Sequence, residues 1–450
     1  GLNIQTDGYN IFVAGSPGSG RNTALSSALD KVASSLPTPS DWCYIYNFTQ
    51  PLNPQAIKVP NGMGPQLELD MDNLVEDLKG RVPQIFASAE YQQVSVLNEK
   101  ELRQEQERIF QEMKDEAEKL GMSLNITSSG MNLVPMKTPT EGTNSGSSLR
   151  GKGNLAKNEQ KMLQYVHQRS LELRQLEKHH DMARQRMDRK FVIDLIKPYF
   201  DDLKNRYRYL SDIVGYLGQV ELDIPYHLHL FRGDDPLKQP SRESQIPGVA
   251  NPQDEWVRYK VNTLVHNQPD GGAPIIFEMS PNYYNLFGKI DHQLRMGGAS
   301  TDLKQIRPGA LHRANGGFLV LQAEDALTSP FVWQTLKQTL RARRIQVENL
   351  REHSSSLPVP TLTPVPIPFD GKIILVGNPN IYRQLLLQDE DFRKFFKVKA
   401  EFANSMNLDE HNAKKYASFI VNRVHSEGLR HFKVDAVGRV IEHSSRLVEE

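Results

Sequence analysis

The chain has 450 residues, with 54 Lys+Arg against 54 Asp+Glu, 38% hydrophobic and 24% charged residues. That length suits two or three domains, and the balanced charge sets up no overall field that would favour nucleic acid or an acidic partner. The single Cys43 excludes an internal disulfide and suits a reducing cytoplasm, and no apolar run approaches the ~20 residues that span a bilayer.

"YNIFVAG" predicts a buried strand running into the glycine-rich turn of "GSPGSGRNT". "RNTALSSALDKVASSL" follows with helical spacing through Leu25, Leu29 and Val32, and "DWCYIYNF", 41–48, reads as a second strand. Strand, glycine loop, helix, strand is the opening of a nucleotide-binding α/β unit. From Leu102 the positions Leu102, Gln106, Ile109, Met113, Glu116 and Leu120 keep a heptad spacing, closed by Gly121 as a C-cap. "SLNITSSGMNLVPM" alternates around Ser-Ser-Gly like a hairpin, and 137–154 has linker composition. A second long helix is expected from near Lys157. It is carried by Met162, Val166, Leu173, Leu176, Ala183 and Met187, interrupted at Arg169 and His180, and kinked or ended at Pro198. The two helices would form an antiparallel coiled-coil arm projecting from the core.

The α/β pattern resumes near 256 with candidate strands "WVRYKVNTLV", "APIIFEMS", "GFLVLQ" and "KIILVGN". A helix, "FVWQTLKQTLRAR", and a Pro-rich segment, 358–368, lie between the last two. From Asp409 the tail reads as two helices separated by Gly428. The chain begins at Gly1 and ends in a helical pattern at "RLVEE", which suggests a fragment of a longer protein.

A working phosphate loop needs Gly, four residues, Gly, Lys and Ser or Thr. Gly15, Gly18 and Gly20 retain the backbone part, but Arg21 and Asn22 stand at the last two places. Arg21 keeps a charge as a planar fork on a longer stem, and Asn22 replaces the hydroxyl by an amide that ligates Mg²⁺ less well. Thr23 is turned about 100° away on a helix. A hydrolysing strand should end in Asp with Glu beside it. Here "GGFLVLQAED" ends in Gln322 and Ala323, with Glu324 and Asp325 two residues late, either bending back toward a metal or serving as first-turn helix residues. His227 and His229 in "YHLHLF" would share one strand face without a carboxylate or Cys to complete a metal set, so no metal site is expected. His179 and His180 read as solvated. Residues 151–190 hold ten Lys/Arg against five Asp/Glu and read as a solvated coiled-coil face; the other reading, a basic arm touching nucleic acid or an acidic substrate, lacks a pattern of interleaved aromatics.

The segments "DGYNIFVAGSPGSGR", "PTPSDWCYIYNF", "PNYYNLFGKI", "IRPGALHRANGGFLVLQAEDAL", "DFRKFFKVKAEF" and "EGLRHF" resemble the AAA+ module of bacterial Lon-like proteases, in the LonB/LonC-like branch of serine peptidase family S16. The resemblance implies an α/β fold: a mostly parallel P-loop core at 1–66 and 236–407, a helical insertion at 67–235, and the start of a helical lid at 408–450. A serine protease domain with a Ser–Lys dyad would follow residue 450, outside this sequence. It also implies ATP or ADP with Mg²⁺ as ligand, a homo-oligomer (a hexamer), unfolded or damaged protein substrates, and a cytoplasmic location. Gly15, Gly20 and Arg21 fall on the phosphate loop and Gln322 at the Mg²⁺ carboxylate position. Asn378 falls near the γ-phosphate sensor, with Asn380 as competitor. Arg393 falls at the arginine offered to the neighbouring subunit, where a surface salt bridge is the other reading. Tyr283, Tyr284 and Met296 are candidates to grip substrate in a pore; core packing is the alternative.

Three functions compete on this pattern. They are a substrate-feeding ring with weak or absent hydrolysis, a non-hydrolysing nucleotide-binding scaffold that only assembles the ring, and a coiled-coil ATPase of chromosome maintenance. The last needs longer coils and a Ser-Gly-Gly signature that the sequence lacks.

Overall fold

The computed structural model describes all residues except 3, 5, 7, 128–129, 136–147, 232–254, 296–297, 351–361, 404 and 450. The chain divides into two compact units, Gly1–Met71 with Ile246–Glu450, and Asp72–Gln245. These limits fall somewhat later than the 67–235 expected for the insertion.

β1 (Ile11–Ala14) is apolar and buried at every position and runs through the glycine loop into α1 (Arg21–Ala33). β2 (Asp41–Ile45) and β3 (Gln55–Val59) pair antiparallel, and α2 (Met63–Phe86) carries the chain across the unit boundary. The second unit comprises α3 (Ala89–Lys119), β4 (Met122–Thr127), β5 (Gly130–Pro135), α4 (Ser148–Arg206) and α5 (Ser211–Asp223). Back in the first unit come β6 (Val261–Val265), β7 (Ile275–Glu278), α6 (Tyr283–Phe287), α7 (Ala310–Arg313) and β8 (Phe318–Gln322). They are followed by α8 (Ala323–Thr328), α9 (Val332–Ala342), β9 (Lys372–Gly377), α10 (Pro379–Gln388) and α11 (Glu390–Phe395). β10 (Val398–Glu401), α12 (Glu410–Ser426) and α13 (Val434–Glu449) complete it. Among the described residues no helix is long and apolar enough to cross a membrane.

Five strands form the core sheet in the order β10-β1-β9-β8-β7, every neighbouring pair parallel. Alternation along the strands builds a core on each face. Phe12, Ala14, Leu319, Leu321, Ile373 and Leu375 enter one cluster. Ile11, Val13, Phe318, Val320, Ile374 and Val376 enter the other, with Leu25 and Leu29 of α1. This is an α/β fold with an AAA+-type parallel core and added helices.

Several expectations from the sequence need correction. The strand at 41–48 does not join the parallel sheet. Its β2 is the middle of a separate antiparallel sheet, β3-β2-β6, because the turn held by Asn47 returns the chain directly alongside it. Asp41, fully buried, accepts the backbone N–H groups of Gly62, Gly64 and Asn267, fastening the start of α2 and the end of β6 to β2. In "WVRYKVNTLV" only Val261–Val265 is extended; Trp256–Tyr259 is a 3-10 turn. "YHLHLF" is likewise two 3-10 turns, set by Pro225, so His227 and His229 share no strand face, and His227 Nδ1 lies 3.1 Å from Asp223. Finally, α4 begins at Ser148 rather than near Lys157 and runs through Pro198 to Arg206. Val192, Ile196 and Phe200, all fully buried around that proline, hold the helix despite the missing donor. The rest of the expected linker, 137–147, lies outside the described residues.

In the second unit, Ile109, Met113 and Ala117 of α3 pack with Met162 and Leu173 of α4 and with Met122 and Leu124 of the hairpin. Arg169 interrupts the apolar seam for a reason. Its guanidinium reaches Glu112 on the facing helix at 2.7 Å and Glu172 at 2.6 Å, donates from Nε to the Tyr165 hydroxyl at 3.1 Å, and lies over that ring. His180 differs from the solvated reading, since its Nε2 is buried without a hydrogen-bond partner among the described residues.

Candidate functional site: a glycine-loop cradle

Parallel sheets place binding loops at the carboxyl ends of their strands. The register here puts Ala14 beside Gly377, and Gln322 beside Val376, so the loop after β1, Asn378 and Gln322 share that edge. Gln322 stands two strands from β1, roughly 10 Å away, with β9 between them.

The loop itself is built by backbone. Gly15 N–H donates to Gly377 O at 3.1 Å, anchoring the loop to β9. Gly18 and Gly20 hold left-handed conformations, φ 83° and 75°, which a side chain would strain. Gly20 caps α1 without a side-chain acceptor, and no acid lies in that helix's first turn. The N–H groups of a 13-residue helix therefore face an anion site with nothing of their own to neutralise them.

Arg21 does not reach over this cradle. Its Nη1 donates to Gly15 O and, at 3.0 Å, to Gly377 O, so the guanidinium lies against the floor of the loop and joins the ends of β1 and β9. Phe402, whose N–H donates to Ala14 O, packs against the same glycine. Asn22 and Thr23 are exposed in the first turn of α1. Gln322 is half-buried as the N-cap residue of α8, and Glu324 and Asp325 are exposed in that helix's first turn. The backbone therefore suits phosphate oxygens. The side chains do not suit Mg²⁺: an amide stands where the loop hydroxyl belongs, and another where the carboxylate belongs. Among the described residues no group of three or more His, Cys, Asp or Glu is placed to hold a metal ion.

Asn378 follows β9 directly and caps α10, its Oδ1 accepting from Asn380 N–H at 2.9 Å. Its amide NH₂ is the donor that remains. Arg393 is exposed on α11, with Nε donating to Leu386 O at 2.8 Å and no ion pair among the described residues. A residue not singled out in the sequence sets that helix. Asp389 caps α11 through Asp391 and Phe392 N–H, and accepts Trp333 Nε1 at 2.7 Å and Lys337 Nζ at 2.8 Å from α9. Despite partial burial, Lys337 and Trp333 hold its carboxyl below the usual range. The Asp-Glu-Asp run before "FRKFF" was the capping signal that could have revealed it.

The pore candidates separate. Tyr283 is only 8% exposed, packed with Phe287 at 5.0 Å in the core beside the sheet, and burial pushes its phenol up to about 12. This burial is the environment that the core alternative for Tyr283 describes. Tyr284 packs half-buried against the same cluster. Met296 lies outside the described residues. A cleft of about 1100 Å³ opens at the opposite, amino-terminal edge of the sheet, beside Asn10, Phe318 and Lys372.

Residues 271–403, which include Gln322, Asn378 and Arg393 but not the glycine loop, match a family model described as LonB-like, AAA domain. Residues 41–74, covering β2, β3 and the start of α2, match a model described as Lon-like LonC helical domain. A putative Lon protease homolog of Escherichia coli (strain K12) is 35% identical over 72 residues, 16% of this chain and 12% of that protein. The chain thus spans only a small part of the curated relative it matches. The fold, the two matched segments and this relative agree that the chain contains a Lon-like AAA+ module.

Proposed function

We propose that this module is the ring-forming, substrate-handling part of a Lon-like serine protease, admitting unfolded or damaged proteins to a fused Ser–Lys peptidase domain while hydrolysing ATP weakly or not at all. The observation that carries the reading is the commitment of Arg21 to the Gly15 and Gly377 carbonyls, beside a cradle whose two metal positions hold amides. Phosphoryl transfer relies on a cation at the β/γ-phosphates and on bound Mg²⁺ to stabilise charge that develops in the transition state. Altering three groups that act on one phosphate–metal unit removes most of that stabilisation together.

In this reading Gly15, Gly18 and Gly20 bind ATP or ADP through backbone N–H groups. Asn378 meets the terminal phosphate, and Arg393 is offered to the neighbouring subunit's nucleotide, making occupancy a signal of assembly, a hexamer in the family pattern. Steady-state ATPase measurement on the full-length protein tests it. We expect no Mg²⁺-dependent turnover above background, with degradation of an unfolded protein proceeding in the absence of nucleotide. Vigorous Mg²⁺-dependent hydrolysis that Arg21→Ala abolishes would overturn the proposal. Nucleotide binding without any effect on degradation would favour a scaffold that only assembles the ring.

A further inference from the structure

α4 packs on α3 through one side; over residues 164–187 its opposite side faces solvent with an unusual composition, and from Arg189 onward that side meets α5 and the turn at Tyr226. Leu171, Met182 and Ile193 stand there 45%, 41% and 44% exposed. They recur every eleven residues, a spacing that stays in line along a nearly straight helix. On the same side, at about 100° per residue, lie Lys178, Arg186 and Arg189, with Arg174 on one margin and Glu172, paired with Arg169, on the other. Arg189 stacks on Tyr226, whereas Arg174, Lys178 and Arg186 are exposed and form no ion pair among the described residues.

The complementary surface is on α3. Glu90, Val94, Leu97 and Glu101 form a stripe at i, i+4, i+7 and i+11, all exposed, with Val94 at 37% and Leu97 at 54%. Within one chain the two surfaces cannot meet, because Met182 points away from the α3–α4 seam. They do lie at the same height along the helix pair. Asn98 meets Met187 at 3.5 Å and Tyr91 meets Asp188 at 2.7 Å, so residues 90–101 run level with the 182–193 stretch.

We propose that α4 of one copy docks its outward face on the α3 stripe of a second copy laid alongside in the same direction. Met182 then sits beside Leu97, and Lys178 and Arg186 beside Glu101. Each chain carries one surface of each kind, so the contact is heterologous and can repeat from copy to copy until it closes. A nucleic-acid backbone would use the cations but leave the apolar rungs exposed, which is why a polypeptide with acids flanking apolar residues is the better match. This inference does not depend on the nucleotide reading.

Disulfide trapping tests it in the full-length chain carrying Leu97→Cys with Met182→Cys; the native Cys43 is buried. Mild oxidation should give a ladder of interchain-linked species on a non-reducing gel. Lys178→Glu with Arg186→Glu should reduce the ladder several-fold, and adding Glu90→Lys with Glu101→Lys should restore it. No ladder, or one indifferent to charge reversal, overturns the proposal. So does protection of the thiols by duplex DNA, which would assign the face to nucleic acid.

Discussion

Arg21 bonds a carbonyl 356 residues further along the chain, at the end of β9. That Arg21 stands where the phosphate-loop pattern has Lys was visible in the sequence. Where the guanidinium would lie was not, because its acceptor belongs to a strand neighbour that only the folded sheet supplies. His312 carries a similar lesson. It lies in "RPGALHRANGG", is fully buried, and accepts Gly309 N–H at Nδ1. Desolvation lowers its pKa from 6.5 to about 3, so the folded chain keeps it neutral. Because the folded value lies below the unfolded one, the associated stability is intact above pH 6.5 and is lost as pH falls toward 3. At pH 5 the loss from this group alone should be roughly 2 kcal/mol. Urea unfolding at pH 7.5 and pH 5 checks it. In His312→Asn, whose Oδ1 can replace Nδ1 as acceptor, the difference between the two pH values should shrink; an unchanged difference would refute the assignment.

Elements with one strong local period were legible. β1, β8 and β9 are continuous apolar runs, and α1 and α3 show helical spacing that the fold keeps. What failed was pairing and short irregular backbone. β2 looks like a second parallel strand but is claimed by β3, a short segment bounded by Pro54 and Pro60. The "YHLHLF" alternation passed for a strand although Pro225 starts it in a turn. For the cradle, the glycines and the altered positions could be read directly, whereas Asp389 and Phe402 emerged only with the packing. The α3–α4 seam offers a test at this scale. Met113 is fully buried in it, so Met113→Ala should destabilise the helix pair by about 2–4 kcal/mol. Hydrogen exchange should show faster opening across 100–120, with the amides of β1 and β9 unchanged. Equal loosening of the sheet would mean that the two units do not unfold separately.

At the scale of the molecule, the excursion between β3 and β6 returns to the same small sheet, where β2 holds both strands. Replacing 72–245 by a Gly/Ser linker of ~20 residues, which spans about 25 Å, should leave the first unit folded. A cooperative thermal melt and a monodisperse elution profile would establish it. Aggregation of the shortened chain, with the intact one soluble under the same conditions, would show that the second unit is required.

The second strand of the larger sheet, β1, has a different consequence. Ile11 of β1 pairs with Ile374 on one side and Val398 on the other, so a segment made early is completed late. At 5–20 residues per second, translation leaves β1 without either neighbour for roughly 20–70 s. The helix pair and its hairpin, whose partners are close in sequence, are finished during that wait. A short apolar strand is thereby exposed longest at the stage when the nascent chain is least folded, and protection of residues 11–14 becomes a requirement of biosynthesis as well as of the final fold.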